Sequence, residues 1–296
     1  MREQEHEVAR KTIRARRLGQ QLRKIRESAG FSQGQPCEAL NVDQSKRTSI
    51  SQGQISKIEA GNARLDADQL ARIMFVLDMP DETVEKLEDL RASAETPGWW
   101  SKYNPYLPSS LELMVELGDD ATTLSTYDAV FVQGLLQTED YARAVVESAR
   151  AWIRPTAVED LVELRMRRQE RLAEKGFGRL TAVLAESTLY HQVGGPNVLR
   201  AQLEKLCEVA EEGHQAVHVL PFESGPWPGI GGFVIFGFPD DEDAEVAQVD
   251  SDLGAAIYED KESIKSVTYT HNAALAQALS ARATLDRLQT VKKELE

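Results

Sequence analysis

Residues 51–62, Ser-Gln-Gly-Gln-Ile-Ser-Lys-Ile-Glu-Ala-Gly-Asn, carry their own start and stop signals and constrain the fold more than any other stretch. Ser51 suits a helix N-cap, and Gln54 three residues later completes a capping-box pattern. Ile55 and Ile58 share one side of such a helix and can pack inward. Gly61 and Asn62 are residue types that end a helix in the left-handed conformation. Gly53, Ser56, Lys57 and Ala60 then face away from the isoleucines, flanked by Gln52 and Gln54. Small residues and amides can approach base edges, and a lysine can meet a phosphate, so this stripe has the chemistry of a DNA-reading surface. Gln54 has two competing uses, the cap and a base contact. Ser56 can equally be a solvated helix residue.

The neighbouring segments read as four more helices. Leu18, Leu22 and Ile25 recur at helical spacing before Gly30, and Phe31-Ser32-Gln33 opens a second helix carrying Cys37 and Leu40. A fourth begins at Leu65 with Leu70, Ile73, Met74 and Leu77 as its stripe; Asp78-Met79-Pro80 breaks it, and Asp81–Ala94 forms a fifth. Through Leu22, Arg23, Arg26, Ala29-Gly30-Phe31-Ser32-Gln33, Leu40, Ser51-Gln52, Ile55-Ser56, Ile58-Glu59 and Gly61, the first 80 or so residues resemble the lambda-repressor-like, or XRE, helix-turn-helix family. The resemblance implies that Gln52, Gly53 and Lys57 face DNA from the third helix and that Gln33 grips the phosphate backbone. Lys46, Arg47 and Arg64 complete the candidate DNA contacts, together with Gln54 and Ser56.

Two features depart from the family pattern. Asn41 to Ile50 intervene where relatives have a tight turn, and Pro36 sits where the second helix should close its first backbone hydrogen bond. Either that helix starts at Pro36, where proline is tolerated, and runs into the insert, or Gln44–Ser49 is a loop. Such a basic, hydroxyl-rich loop can track a phosphate backbone or simply be solvated.

Charge separates the chain into parts. The overall balance of −14 looks wrong for a DNA binder, yet residues 1–64 carry +6, residues 65–96 carry −6 and residues 97–296 carry −14. A basic amino-terminal segment supplies the counterion-release contribution to DNA affinity, and an acidic remainder resists non-specific adhesion. The densest basic run, Arg10–Arg17, is either an arm reaching the DNA or an extension of the first helix. The breaker cluster Ala94-Glu95-Thr96-Pro97-Gly98 marks a boundary, giving a DNA-binding domain over 1–96 and an acidic domain over 97–296. No apolar run spans a membrane and no signal-peptide core opens the chain. Isolated Cys37 and Cys207 suit a reducing cytoplasm.

The second part reads as α+β, mostly helical with a small antiparallel sheet. Thr126–Val132 and Leu180–Glu186 look extended, and Ala216–Phe222, Gly232–Phe238, Glu245–Val249 and Ala255–Tyr258 read as an antiparallel meander. Helices are expected over Leu111–Leu117, after Thr138 as N-cap, over Val158–Glu174, from Val198, and over Lys261–Leu279 and Ala281–Leu295. The markers Gly98-Trp99-Trp100, Gly134–Arg143, Arg165–Gln169, Glu186, Val193–Pro196, Gln202-Leu203, Val219–Pro221 and Gly232-Phe233 resemble the actinobacterial antitoxin-like transcriptional regulators, to which WhiJ-type regulators are similar. That family implies a cytoplasmic DNA-binding regulator, often beside a small protein encoded nearby. Trp99, Trp100 and Tyr103 either line a ligand pocket or interface or plug a core. With Gln137, Tyr141 and Arg143 from the marker run, they are the candidate ligand or partner contacts.

Catalytic signals are weak. His214 and His218 are too far apart on a strand for one zinc ion. Gly194-Gly195-Pro196 reads as a turn more readily than an anion site, and Asp240–Asp243 as a solvated loop. Arg165, Arg167, Arg168 and Arg171 either pair with Glu163, Glu170 and Glu174 or receive an acidic partner. The expectation is a non-enzymatic homodimeric regulator of double-stranded DNA with no cofactor, no metal and no membrane association, controlled by a small protein partner or, alternatively, by an unknown small-molecule effector.

Overall fold

Leu18, Leu22 and Ile25 line one face of a helix, α1 (Ile13–Ser28), that underlies the first of two units, residues 1–99 and 100–296. The computed structural model describes residues 13–34, 50–107, 109–149, 153–225, 231–238, 245–251 and 254–295. In the first unit α1 is followed by α2 (Gln52–Glu59), α3 (Ala67–Val76) and α4 (Asp81–Glu95). Leu18, Leu22, Ile55, Ile58, Leu70 and Leu87 meet in one buried cluster. Asp66 caps α3 and forms a capping box with Gln69, and α4 starts directly after Pro80, an extended N-cap that offers no side-chain hydrogen bond.

Phe31–Gly34 are not helical, which corrects the expectation that Phe31 opens a second helix. The Phe31 carbonyl is already engaged by Arg26 Nη1 at 2.6 Å. The rest of that segment, with Pro36, Cys37, Leu40, Lys46, Arg47 and the insert 41–49, lies outside the described residues, as do Arg10–Thr12 and Asp240–Asp243.

The second unit is a six-stranded mixed sheet with helices around it. Its elements are α5 (Ser109–Asp120), β1 (Thr123–Asp128), α6 (Glu139–Ser148), α7 (Val158–Gln169), β2 (Arg179–Ala185), α8 (Pro196–Glu212), β3 (Ala216–Leu220), β4 (Phe233–Gly237), β5 (Glu245–Ser251), β6 (Gly254–Tyr258), α9 (Lys261–Gln277) and α10 (Ala281–Glu294). The strand order is β3-β2-β1-β4-β5-β6. β1, β2 and β3 run parallel, joined through α6–α7 and then α8, while β1, β4, β5 and β6 are antiparallel. This corrects the expected small antiparallel sheet. Ala216–Leu220 is not the first strand of a meander but a parallel edge, because a helix-length crossover precedes it.

Tyr127, Val183, Phe233 and Ile235 pack with Ala274 of α9 on one face. Strand alternation turns Leu124, Leu184 and Phe236 to the other face, where they are also buried. That second face carries a polar row. Thr126 Oγ1 donates to Asp128 Oδ2 at 2.8 Å, and Gln248 Nε2 donates to Asp250 Oδ1 at 3.0 Å. Burial pushes the Asp128 carboxyl up to about 7 against the Thr126 hydrogen bond, and the Asp250 charge adds to the rise. No helix among the described residues is long and apolar enough to cross a membrane.

Candidate nucleic-acid interface

The cap that the sequence requires is formed. Ser51 is extended, its Oγ accepts from Gln54 N at 3.2 Å, and Gln54 Oε1 accepts from Ser51 N at 2.9 Å. Ile55 and Ile58 are buried, whereas Ser51, Gln52, Gly53, Gln54, Ser56, Lys57 and Ala60 are exposed. α2 therefore offers one continuous polar face with a single cation at its centre. Gln54 already spends its carbonyl oxygen on the cap.

Two glycines seat this helix on α1. A Cβ at Gly19 would lie 2.6 Å from Glu59 O and closer still to Ile58 O. Gly61 has φ +67°, and a Cβ there would lie 2.7 to 2.9 Å from Arg16 Cγ, Cα and N. Backbone meets backbone at both points, and neither tolerates a side chain.

A buried ion pair fixes the same junction. Arg26 and Glu59 are 7% and 8% exposed, with Arg26 Nε at 2.5 Å from Glu59 Oε1 and Nη2 at 3.1 Å from Oε2. The hydrogen bond to Glu59 holds the Arg26 guanidinium above its usual range against the opposing effect of burial. Gln33 Nε2 donates to Glu59 Oε2 at 2.8 Å. Gln33, expected on the phosphate backbone, is thus tied to the inner end of α2. Arg64 is exposed and donates from Nε to Glu95 Oε1 at 3.1 Å, a surface pair worth about 0–1 kcal/mol. Lys46 and Arg47 fall outside the described residues.

The sequence carried a signal for the ion pair that went unread. Arg26 follows Leu22 by four residues on the inward stripe of α1, and a cation there demands a partner.

In the second unit the candidate contacts are scattered rather than gathered into a site. Trp100, Tyr103, Gln137 and Tyr141 are buried, at 6%, 1%, 2% and 0% exposure. The Tyr141 hydroxyl accepts from Val132 N at 3.2 Å, and Gln137 Nε2 donates to Val132 O at 2.6 Å. Arg143 pairs with Glu139 at 3.0 Å and with Glu159. The anticipated arginine–glutamate pairs form only in part. Arg171 meets Glu174 at 2.5 Å, but Glu163 takes Lys102 at 2.9 Å. His214 is exposed and His218 lies on β3, its Nδ1 3.1 Å from Leu279 O. Among the described residues no group of three or more His, Cys, Asp or Glu side chains is placed to hold a metal.

Comparison with known proteins divides the chain in two. A family model described as a helix-turn-helix domain matches residues 17–87, and one described as a domain of unknown function (DUF5753) matches residues 111–290. No curated protein and no solved structure matches the chain.

Proposed function

The chain belongs to the DUF5753 family, and from that premise, with a helix-turn-helix domain ahead of it, we propose a cytoplasmic, non-enzymatic regulator that binds an inverted repeat in double-stranded DNA as a homodimer. Each copy places α2 in one of two successive major grooves. The observation that carries this is the exposed run Ser51–Gln54, Ser56 and Lys57 over the buried Ile55 and Ile58, braced from behind by Glu59 and Arg26. Gln52 reads a base edge and Lys57 a phosphate. Gly53 contributes close approach rather than a side chain.

Binding to the DNA upstream of the protein's own coding region tests this. Gln52→Ala should relax base preference at a cost of about 1–3 kcal/mol, and Lys57→Ala should reduce the salt slope by about 1. Wild-type binding by both variants would place the reading head elsewhere.

The second unit sets this activity by docking a small protein partner, as the likeness to antitoxin-like regulators suggests. Support comes from Val130, Phe131, Tyr190 and Phe222, which are 49%, 38%, 42% and 62% exposed in the segments just after β1, β2 and β3. The Tyr190 and Phe222 rings lie side by side, tilted by 30° with centroids 6.2 Å apart. Exposed apolar side chains grouped in this way mark interaction surfaces. A stoichiometric small protein in co-purification with mass spectrometry is the expected result.

A further inference from the structure

Leu161, Leu164, Arg165 and Arg168 follow one another on a single stripe of α7. Leu161 and Leu164 are buried. The stripe then continues with two arginines where an apolar side chain would complete the core face. Arg167, one position away, is exposed.

Arg26 shows how this protein satisfies an inward cation, with a carboxylate. Arg165 and Arg168 have none among the described residues. Arg165 Nη1 donates to the neutral Oε1 of Gln137 at 2.9 Å. The Arg168 side chain makes no hydrogen bond or ion pair with any described residue. A third cation joins from α8: Lys205 Nζ donates to Gln137 O and to Gln169 Oε1, both at 2.8 Å and both uncharged. Glu208 lies within electrostatic range of Lys205 without forming an ion pair.

Crowding by protein atoms lowers the pKa of all three; Arg168 falls to about 10, with the Arg165 charge adding to the effect of burial. Arg165 and Arg168 nevertheless keep some solvent exposure. Desolvated cations without anions cost stability, and such a cost is found where the charge is used. Residues 97–296 carry −14 overall, so carboxylates are abundant, yet among the described residues none forms an ion pair with Arg165, Arg168 or Lys205.

We propose that Arg165, Arg168 and Lys205 form a cradle for an oxyanion, the carboxylate or phosphate group of a small-molecule ligand seated between α7, α8 and the Gln133–Thr138 turn. A guanidinium fork takes two oxygens of such a group side by side, and the Lys205 ammonium has a third proton to offer. Gln137 holds Arg165 and, with Gln169, Lys205, and these neutral partners leave the charge uncompensated until the ligand arrives.

The test uses the full chain without DNA, so its failure leaves the DNA assignment untouched. Inorganic phosphate and citrate are titrated by calorimetry at constant ionic strength. Saturable binding is expected, weakened at least tenfold in Arg168→Gln and unchanged in Arg167→Gln. Tighter phosphate binding identifies a phosphate ligand, and tighter citrate binding a carboxylate. Thermal unfolding in anion-free buffer separates a binding role from a structural one: Arg168→Met should unfold at a higher temperature than the wild type. Absence of saturable binding of either probe, wild-type affinity in Arg168→Gln, or a lowered midpoint in Arg168→Met overturns the proposal.

Discussion

Gly19→Ala and Gly53→Ala are the same substitution in two helices, and the structure gives them opposite signs. By propensity alone, each should stabilise its helix by about 1 kcal/mol. At Gly53 nothing opposes this, since the nearest atom to the new methyl is Ser51 Oγ at 3.9 Å. At Gly19 the methyl would sit 2.6 Å from Glu59 O, and both that oxygen and the neighbouring Ile58 O belong to main chain, which cannot rotate aside. Restoring an ordinary carbon–oxygen contact requires α1 and α2 to part by about 1 Å. Overpacking of this kind costs about 1–3 kcal/mol, so the propensity gain is cancelled or exceeded. For a domain of this size about 1 kcal/mol moves the melting midpoint by about 4–8 °C. Thermal unfolding followed by circular dichroism, with hydrogen exchange over residues 13–28 and 50–95, reads both variants. Gly53→Ala should raise protection there, and Gly19→Ala should lower it and weaken DNA binding. If Gly19→Ala stabilises the unit as much as Gly53→Ala does, the close approach of the two helices is wrong.

Glu59→Ala takes away the buried anion of Arg26, leaving it only the longer 3.4 Å contact of Nη2 with the exposed Glu27, and should cost about 3–5 kcal/mol; exchange protection should collapse over α1–α4 and persist over the sheet of the second unit. The double change Arg26→Met with Glu59→Leu should recover most of that loss. The Asp128 carboxyl, raised to about 7 by burial, titrates well above its unfolded value. Its contribution to stability is complete below about pH 4 and is lost as pH rises through about 7. Asp128→Asn should flatten that slope and stabilise the protein at pH 8, by at most about 4 kcal/mol at about 1.4 kcal/mol per pK unit; chemical denaturation at pH 5 and 8 checks it, and an unchanged slope would count against the assignment.

What the sequence made legible was local. The cap at Ser51 and Gln54, the inward pair Ile55 and Ile58, and the stop at Gly61 depend on residues within one or two turns of each other. The partner of Arg26 stands 33 positions away, so the stripe position of Arg26 announced a need without naming what meets it. Arg165 and Arg168 sent the same signal, obscured by nearby glutamates that turn out to lie on other faces of α7 or beyond its end. In the sheet, β2 and β3 were visible as strands, but their order was not. Strand order follows from crossover length, and the strand–helix–strand–helix–strand run from β1 to β3 was the clue to parallel pairing. β1 itself ends at Asp128 rather than continuing to Val132, because the chain turns away there into the Gln133–Thr138 segment that Gln169, Gln202 and Lys205 hold by its carbonyls.

The main-chain seating of α2 on α1 has a consequence for how such proteins diversify. The angle at which α2 presents its outer side is set by Gly19, Gly61 and the Arg26–Glu59 pair, none of which belongs to that outer side. On the proposed DNA-reading role, Gln52, Gly53, Ser56 and Lys57 can therefore be exchanged without disturbing that seating. On that same proposed role, a new operator is expected to be acquired by rewriting four letters on a mount that stays where it is.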